Sequence, residues 1–445
     1  MKEKRIVIIG MGTAAAGASA AVNHTNPRAE VTIVEKRNYE MYSPCGMPFA
    51  LEGKLSFESL KHDFPARGSK TTVYLNTEAV KIDADKKKVV LQNQQGYRTL
   101  PYNSLIIATG ARPFIPKIGN IDQFIGSHAH TSYTWEDVLR LYKAQNQARR
   151  ATIIGAGAIG MEFAMAMKKQ GLEIRLVKMR RQLFADDLDG DMARHVHEYL
   201  ATEGIPLLTD SVVEKVEGTH RIEGITIGKE TYETDLVVLA CGTIPNVEWV
   251  KDFGIACNKN GIITNKRMMT NIPGIYAAGD CVETFHALTG KRCRSLLAVP
   301  ARKQGRVAGI NASGGRALYS GTMNTSISVF GDRAVGYTGL TAEEAKKEGY
   351  ELVMQKIRGH NKPDWYPGCR ELIVKLIADR KGKLLGGQAF GEKLAVKNRI
   401  DIISAYLSAK GNLRDMVKGE LAYCPDIASI PDPLTTAVDF MLRRI

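Results

Sequence analysis

The chain has 445 residues, of which 44% are hydrophobic and 24% charged, and this length predicts about two to four domains. Its net charge of +14 is dispersed along the sequence, which favours anionic cofactors and substrates over nucleic acid as partners. No apolar run is long enough and free enough of charge to span a membrane, so no membrane association is expected.

The seven cysteines argue against two kinds of site. Their number is odd and no two of them are spaced C-x-x-C, which disfavours both a disulfide framework and a zinc site. We therefore expect no metal and a reducing, cytoplasmic location.

A strand, a glycine-rich turn, an alanine-rich helix and a second strand open the chain. They are RIVII over 5–9, GMGTAA over 10–15, a helix to about His24 and EVTIV over 30–34. The first 22 residues also resemble a signal peptide. The turn and the acidic residue after the second strand favour a βαβ unit instead.

This turn has the spacing of a dinucleotide-binding site. Gly10 and Gly12 permit a tight turn and a close approach of the backbone to a pyrophosphate, and Ala15 lets the helix touch the strand. The N-terminus of the helix offers unpaired N–H groups and a positive dipole to phosphates. Glu35 stands where a carboxylate accepts hydrogen bonds from a ribose diol; the alternative is an ordinary turn with a surface glutamate.

The pattern repeats about 145 residues later. A strand over 151–154 leads to GAGAIG over 155–160, a helix over 161–170 and a strand over 173–177. The glycines that match the dinucleotide pattern are Gly155, Gly157 and Gly160. Lys178 and Arg180 replace the acid, and cations pair with a 2′-phosphate that a carboxylate would repel. The second site therefore favours NADPH over NADH, unless these cations form only a solvated basic turn.

The rest of the chain adds short motifs and a different type of domain. The motifs are LIIATG over 105–110, ACGT over 240–243 and YAAGD over 276–280. From about residue 322, strand-like and helical stretches mix without a nucleotide turn. The predicted strands are 325–330 and 372–377, and the predicted helices are 342–348 and 396–409. This pattern predicts an α+β domain.

Two nucleotide-binding units, their ATG-like turns and the YAAGD segment together resemble the pyridine nucleotide-disulfide oxidoreductase family, over essentially the whole chain. The resemblance implies an α/β fold with two Rossmann-like domains, for FAD and NAD(P), and a C-terminal α+β dimerisation domain in a homodimer. The implied domains are FAD-binding over 1–113 and 247–321, NAD(P)-binding over 114–246, and dimerisation over 322–445.

The same resemblance implies further cofactor contacts. Asp280 would bind the ribityl or pyrophosphate region of the flavin, and Glu162 would lie near the contact between nicotinamide and flavin. The remaining implied contacts are Thr109, Gly110, Gly242, Gly279 and Ala298.

The segment YSPCGMPFALEG over 42–53 resembles the single-cysteine branch of the family. Two-cysteine members carry their second cysteine at the position of Ala50, so that disulfide cannot form here. The resemblance implies that Cys45 is a redox-active nucleophile toward a small-molecule disulfide, persulfide or polysulfide, whereas an isolated cysteine is otherwise an inert core residue. The branch includes NADH oxidases and peroxidases, which often carry histidine at position 13. Thr13 favours a sulfur substrate and leaves oxygen reduction as the alternative.

Two tyrosines in the C-terminal third match positions near the active-site sulfur of disulfide-reducing relatives. Tyr366 and Tyr423 are therefore implied proton donors to a leaving thiolate, or else packed interface residues. Cys424 departs from the family pattern and is either a small buried residue or a resolving thiol.

Two further points concern the ligand. Coenzyme A-disulfide reductases tend to carry arginines late in the first helix, and the stretch VNHT over 22–25 lacks them, which argues against coenzyme A itself. The alternative to an enzyme is a protein of another functional class: a redox-sensing flavoprotein that binds a macromolecule through its basic surface.

Overall fold

The structure is a computed structural model that describes residues 3–445. Its strands, numbered in chain order, are β1 Arg5–Ile9, β2 Glu30–Val34, β3 Met41–Tyr42, β4 Lys61–His62, β5 Thr71–Tyr74, β6 Glu78–Asp83, β7 Lys88–Asn93, β8 Gly96–Pro101, β9 Ser104–Ile107, β10 Ala111–Pro113, β11 Ala129–Thr131, β12 Arg150–Ile154, β13 Glu173–Val177, β14 Leu207–Leu208, β15 Lys215–Glu217, β16 Gly224–Ile227, β17 Glu230–Glu233, β18 Leu236–Leu239, β19 Thr243–Pro245, β20 Cys257–Asn258, β21 Gly261–Ile263, β22 Ile275–Ala277, β23 Val282–Phe285, β24 Arg292–Cys293, β25 Ser326–Phe330, β26 Arg333–Gly339, β27 Leu352–His360, β28 Glu371–Asp379 and β29 Leu384–Glu392.

The helices are numbered in the same way. They are α1 Thr13–Thr25, α2 Met47–Leu51, α3 Trp135–Gln145, α4 Ala158–Lys169, α5 Gly190–Thr202, α6 Glu248–Lys251, α7 Ala298–Ala312, α8 Ala342–Lys347, α9 Lys393–Ser408, α10 Leu413–Val417 and α11 Pro433–Leu442, with 3-10 turns at Pro44–Gly46, Glu58–Leu60 and Ile121–Phe124. Within residues 3–445, no helix has the length and apolar character needed to cross a membrane.

The chain divides into two compact units. The first contains the described residues up to Gly46, residues 56–114 and residues 243–322; the second contains residues 47–55, 115–242 and 323–445. The boundary between an NAD(P) domain and a dimerisation domain falls inside the second unit and stays a prediction.

The first unit is built on a parallel sheet in the order β22-β9-β1-β2-β5. The central strands β1 and β9 are almost continuous apolar runs because both faces of the sheet are covered there, and Ile8 and Ile106 are fully buried. α1 packs on α7 with backbone in contact, since a Cβ on Gly17 would lie 2.4 Å from the carbonyl oxygen of Arg302. The small residues of α1 therefore serve a close helix pair.

The second unit contains a parallel sheet in the equivalent order β11-β18-β12-β13-β14. It also contains an antiparallel sheet, β25-β26-β29-β28-β27, against which α9 and α11 pack. The predicted fold class, two Rossmann-like sheets followed by an α+β domain, is confirmed.

Several predicted boundaries needed correction. The helix expected from residue 161 begins at Ala158, because the glycine turn leads directly into it. The helix expected from residue 396 begins at Lys393, because the Glu392 carboxylate accepts hydrogen bonds from the N–H groups of Leu394 and Ala395. Three small sheets were missed: β6-β7-β8, β15-β16-β17 and β20-β21-β23-β24. Several of their strands are two to four residues long, too short for an alternation to be read.

Candidate active site

The first glycine turn, in the first unit, is closed on one side and open on the other. Gly10 has φ +98°, and a Cβ there would lie 2.3 Å from the carbonyl oxygen of Ala108. A Cβ on Gly12, which precedes α1, would meet no heavy atom within 4 Å. Ala15 is fully buried beneath the turn. This geometry fits a pyrophosphate that approaches the backbone at Gly12 and the N-terminus of α1.

Glu35 directly follows β2 and is 5% exposed. Its Oε2 accepts from the backbone N–H of Met11 at 3.0 Å and from Nη2 of Arg37 at 2.8 Å. Its Oε1 accepts from the backbone N–H and the Nε of Arg37, at 3.0 and 2.9 Å. A carboxylate offers about four lone-pair sites, so a ribose diol must displace Arg37 to bind Glu35. The guanidinium of Arg37 also lies 5.1 Å from the ring centroids of both Tyr39 and Tyr42.

A partly buried carboxyl group follows β22. Burial raises the pKa of Asp280 to about 6, and the nearby Arg294 guanidinium opposes that rise. Arg294 also donates from Nη1 to the carbonyl oxygen of Thr243 at 2.9 Å. The N–H of the preceding Gly279, at φ +88°, donates to Oε1 of Gln304 at 2.8 Å. A buried acid in a polar setting fits the hydroxyl-rich ribityl chain of FAD.

The first ATG turn is fixed by reciprocal hydrogen bonds. Thr109 donates from its hydroxyl to the carbonyl oxygen of Asn246, and Asn246 donates from its amide to that of Thr109, both at 3.0 Å. Gly110 has φ +65° and accepts from the backbone N–H of Asn246. Ala298 is exposed at the start of α7. These hydrogen bonds tie the turn to Asn246, just after β19.

The second glycine turn repeats the first. Gly155 has φ +110°, and a Cβ there would lie 2.2 Å from the carbonyl oxygen of Ala240. A Cβ on Gly157 would again meet no heavy atom within 4 Å, whereas one on Gly160 would lie 1.8 Å from the carbonyl oxygen of Gly155. Gly242 has φ +93° and also faces open space. The second unit therefore offers the same cradle for a dinucleotide.

Cations replace the acid at the end of β13. Burial lowers the pKa of Lys178, and the charge of Arg180 lowers it further. Arg180 is half exposed and donates from Nη1 to both carboxylate oxygens of Asp186, at 2.7 and 2.8 Å. Lys178 and Arg180 can bind a phosphate together if the guanidinium of Arg180 leaves Asp186 and pairs with the phosphate instead.

Glu162, near the start of α4, carries a strongly perturbed carboxyl group. Burial raises its pKa to about 7, and the backbone N–H of Val329 opposes the rise by donating to Oε1 at 3.3 Å. A carboxyl group that titrates near neutral pH and is held by a single backbone donor is suited to contact a charged or proton-bearing ligand.

Cys45 lies in the 3-10 turn Pro44–Gly46, and its side chain is exposed. The preceding Ser43 is held by a backbone hydrogen bond to Leu60 at 2.8 Å, and its hydroxyl lies 3.1 Å from Nε2 of His62. The seven cysteines, all within residues 3–445, form no disulfide bond. Exposure is what a nucleophilic thiol needs and what an inert core cysteine lacks.

The loops over 361–370 and 422–430, in the second unit, carry the remaining candidates. Nζ of Lys362 lies 3.0 Å from a carboxylate oxygen of Asp426 and 5.2 Å from the ring centroid of Tyr366. Tyr423 is 46% exposed and Cys424 is exposed. Cys424 is exposed in the single chain, and its assignment as a small buried residue or a resolving thiol of the homodimer stays a prediction.

Three residues of these sites escaped sequence reasoning. Arg37, Asn246 and Arg294 act through partners that lie far away in sequence or through contacts that a motif does not encode. An arginine two residues after the acidic strand end is the one signal that could have been noticed.

Two dinucleotide cradles, one with an acid and one with cations at the strand end, define an enzyme that moves electrons between two nucleotides. Residues 4–305 match the family model described as pyridine nucleotide-disulphide oxidoreductase, and residues 325–432 match its dimerisation domain. The chain belongs to this family. It is an oxidoreductase that uses FAD and NAD(P)H.

Relatives of similar length narrow the comparison. The chain is 32% identical to an "NADH oxidase" of Methanocaldococcus jannaschii, over 99% of both chains. It is 33% identical to an "NAD(P)H sulfur oxidoreductase (CoA-dependent)" of Pyrococcus abyssi, over 97% of both chains. The solved structure of a NAD-dependent persulfide reductase from A. fulgidus superposes with a TM-score of 0.92 at 29% identity, covering 99% of this chain and 83% of that one.

Proposed function

We propose that this enzyme is a homodimeric, NADPH-preferring reductase of small-molecule disulfides, persulfides or polysulfides, with Cys45 as its nucleophile. The observation that carries the proposal is the exposed thiol of Cys45 in a single-cysteine segment. FAD, when bound, supplies the chemistry of accepting hydride from the nicotinamide and returning two electrons to sulfur. Two relatives named for sulfur or persulfide reduction support a sulfur substrate.

The sulfur chemistry assigned to Cys45 balances in two halves. The thiolate attacks one sulfur of the substrate R–S–S–R′, forms the Cys45–S–S–R mixed disulfide and releases R′S⁻. Two electrons that originate in NADPH then cleave the mixed disulfide and restore Cys45 thiolate and RS⁻. With a persulfide substrate, the group released in the first half is HS⁻. One disulfide and one NADPH are consumed in each cycle.

Protonation of the leaving thiolate is assigned to the two tyrosines. The ring centroid of Tyr366 lies 5.2 Å from Nζ of Lys362, so its phenol stands beside a cation that faces the same loop. Tyr423 is half exposed in the single chain. Such exposure is expected of a residue that contacts a second subunit and its substrate. The match to the dimerisation domain supports the homodimer.

Coenzyme A is the thiol named for one relative, and it raises the question of which cations would hold its phosphates. α1 offers none on its late turns, but the adjoining α7 exposes Arg302, Lys303 and Arg306. Because α7 packs directly on α1 at Gly17, these three side chains can replace arginines on the first helix. A thiol that carries phosphate groups is therefore the substrate class we favour.

The test is anaerobic turnover with a panel of acceptors: coenzyme A disulfide, cystine, polysulfide and then oxygen. The wild-type enzyme should reduce a sulfur acceptor, and Cys45→Ser should abolish that turnover while NADPH still bleaches the flavin, because hydride transfer needs no thiol. Cys257→Ser, a change at a partly exposed cysteine outside the candidate site, is the matched control and should keep full turnover. Unchanged sulfur turnover in Cys45→Ser would overturn the proposal.

Oxygen reduction is the second candidate, because one relative is named NADH oxidase. Faster flavin reoxidation by oxygen than by every sulfur acceptor would favour it. Negligible turnover with all acceptors, together with salt-dependent binding of nucleic acid or protein, would favour a redox sensor.

A further inference from the structure

The segment from Lys178 to Asp189, which we call the basic loop, joins β13 to α5 and carries the cations proposed to bind the 2′-phosphate. Three of its apolar side chains are buried, with Leu183 at 3%, Phe184 at 5% and Leu188 at 1% exposure, whereas Met179 is 69% exposed. The ring of Phe184 meets that of Tyr337, on β26, edge to face at 6.2 Å. The loop is thus packed on the antiparallel sheet of the second unit rather than left in solvent.

The end of the basic loop is held by one carboxylate. Oδ1 of Asp189 accepts from the backbone N–H of Ala342 at 2.9 Å. Oδ2 lies 2.8 Å from Nζ of Lys375 and 3.2 Å from Nε2 of Gln388. The backbone N–H of Asp189 donates in turn to Oε1 of Gln388 at 3.1 Å. Asp189 therefore joins the basic loop to β28, β29 and the start of α8.

Lys375 is the only cation among these contacts, and it is buried. Its side chain is 9% exposed, that of Asp189 is 10% exposed, and Nζ also lies 2.7 Å from Oδ1 of Asp191. Asp191 has a second, more exposed cationic partner, Lys356, at 3.0 Å. Removal of Lys375 would leave Asp189 as a buried carboxylate with no cation, and such a group must move toward water or be protonated.

We propose that Lys375 is a positioning residue that determines nucleotide specificity, because its buried pair with Asp189 fixes the basic loop where Lys178 and Arg180 meet the 2′-phosphate of NADPH. The inference rests on the proposed use of NADPH. A contact with a phosphate depends on where the backbone holds the cations, and a shift of about 1 Å weakens it strongly. NADH lacks the 2′-phosphate, so its binding depends on the glycine turn and not on this loop.

The experiment measures flavin bleaching by NADPH and by NADH under anaerobic conditions, which needs no sulfur substrate. Lys375→Met should raise the NADPH concentration for half-maximal bleaching about tenfold, equivalent to about 1.4 kcal/mol. The NADH concentration for half-maximal bleaching should change less than about twofold. The limiting rate of bleaching should stay the same, because the lost contact binds the ground state and the transition state equally. Lys375→Arg should restore most of the NADPH affinity because it keeps the charge.

A matched control separates positioning from general loss of stability. Arg399 pairs with Asp432 in the same antiparallel domain, with side chains 5% and 10% exposed, and this pair makes no contact with the basic loop. Arg399→Met should therefore lower the melting temperature without changing the NADPH value. If Lys375→Met does not fold, Asp189→Asn tests the same pair. It should raise the NADPH concentration for half-maximal bleaching by a smaller factor.

Two results would overturn the inference. The first is that Lys375→Met needs the same NADPH concentration for half-maximal flavin bleaching as wild type. If Lys375→Met fails to fold, the same result in Asp189→Asn overturns the inference. The other is an equal rise for NADPH and NADH, which would make Lys375 merely structural. Failure of the NADPH proposal itself is distinguishable: wild-type enzyme would then prefer NADH, and Lys178→Gln with Arg180→Gln would leave the NADPH value unchanged.

Discussion

The two glycine turns have nearly the same geometry and different surroundings. Gly10 and Gly155, 145 positions apart in the sequence, both have positive φ, and both lie against the carbonyl oxygen of the residue that follows the neighbouring parallel strand. Gly12 and Gly157 both face open space. The turn therefore defines a dinucleotide cradle but does not say which dinucleotide it holds.

The two sites differ in the side chains of the helix and of the second strand that follow each glycine turn. Counting 145 residues from Gly17, which lets α7 approach α1, leads to Glu162, a carboxyl group with a raised pKa. Glu35 directly follows the second strand of one cradle, and Lys178 directly follows that of the other. Specificity thus resides in the side chains that flank a shared backbone, and the predictions below test that division.

The largest effect is expected from filling the open face of each cradle. Gly12→Ala should fold, because its Cβ meets no protein atom, yet it should lose FAD, because the methyl group occupies the space of the pyrophosphate. Gly157→Ala should keep FAD and raise KM for both NADPH and NADH tenfold or more, about 1.4 kcal/mol. Flavin absorbance of the purified variants and steady-state kinetics measure the two outcomes.

The other glycine of each pair is the control. Gly10→Ala and Gly155→Ala place a Cβ against backbone at positive φ, so both should lower the melting temperature whether or not a nucleotide is bound. Loss of flavin in both Gly12→Ala and Gly157→Ala would contradict the assignment of one cradle to each cofactor.

Neutralising the cations at the end of β13 should change selectivity rather than activity. Lys178→Gln with Arg180→Gln removes charge-assisted contacts worth about 1.5–3 kcal/mol, so KM for NADPH should rise roughly 10- to 100-fold. KM for NADH should stay within about twofold, since NADH has no 2′-phosphate. Arg181→Gln, the exposed neighbour, is the matched control. If the wild-type enzyme prefers NADH, Lys178 and Arg180 are only part of a solvated turn and do not bind the 2′-phosphate.

Glu162 should make the stability of the apoprotein depend on pH. Its folded pKa of about 7 lies above the ordinary value of 4.5, so the folded state stays protonated while the unfolded state ionises. Its contribution to stability is therefore lost as pH rises from about 4.5 to 7. Glu162→Gln should match wild type at pH 4.5 and exceed it by about 1–3 kcal/mol at pH 8, a range discounted for partial exposure.

Chemical unfolding at the two pH values measures this difference. Gln keeps an acceptor for the Val329 N–H, so the comparison isolates the charge. The same gain at both pH values would mean that Glu162 does not titrate as proposed.

The smallest effect is expected from the thiol outside both cradles. If Cys424 resolves the mixed disulfide on Cys45 of the partner subunit, Cys424→Ala should slow turnover severalfold, and mild oxidation should crosslink wild-type dimers. The route requires the two Cα atoms to approach within about 7 Å. Non-reducing electrophoresis detects the crosslink. Full turnover in Cys424→Ala, with the crosslink retained, would remove Cys424 from the mechanism.

Sequence patterns predicted the fold well where strands are buried. β1, β2 and β13 end at the residues expected, because each is a short strand that ends in buried apolar residues next to a glycine turn or a charged residue. Two strands of the antiparallel sheet, over 325–330 and 372–377, were also expected, although β28 is longer than predicted. Short strands such as β15 carry too few residues to show a period.

The site could be predicted only where a local motif carries it. The glycines and Cys45 stand in short segments whose spacing has physical meaning. The pairing of Glu35 with Arg37 depends instead on side-chain rotamers, and that of Asp280 with Arg294 depends on the fold of the chain after β22. Local spacing does not determine either pairing.

The first parallel sheet also carries a consequence for how the protein is made. β22 pairs with β9 through Ile275 and Leu105, residues 170 positions apart, and α7 reaches α1 from still later in the chain. At ribosomal rates of about 5–20 residues per second, the edge of the sheet waits on the order of 10–30 s for its last strand. A nascent chain halted before residue 275 would therefore lack one edge strand of the sheet that carries the first glycine turn, so the sheet around this turn is completed late in biosynthesis.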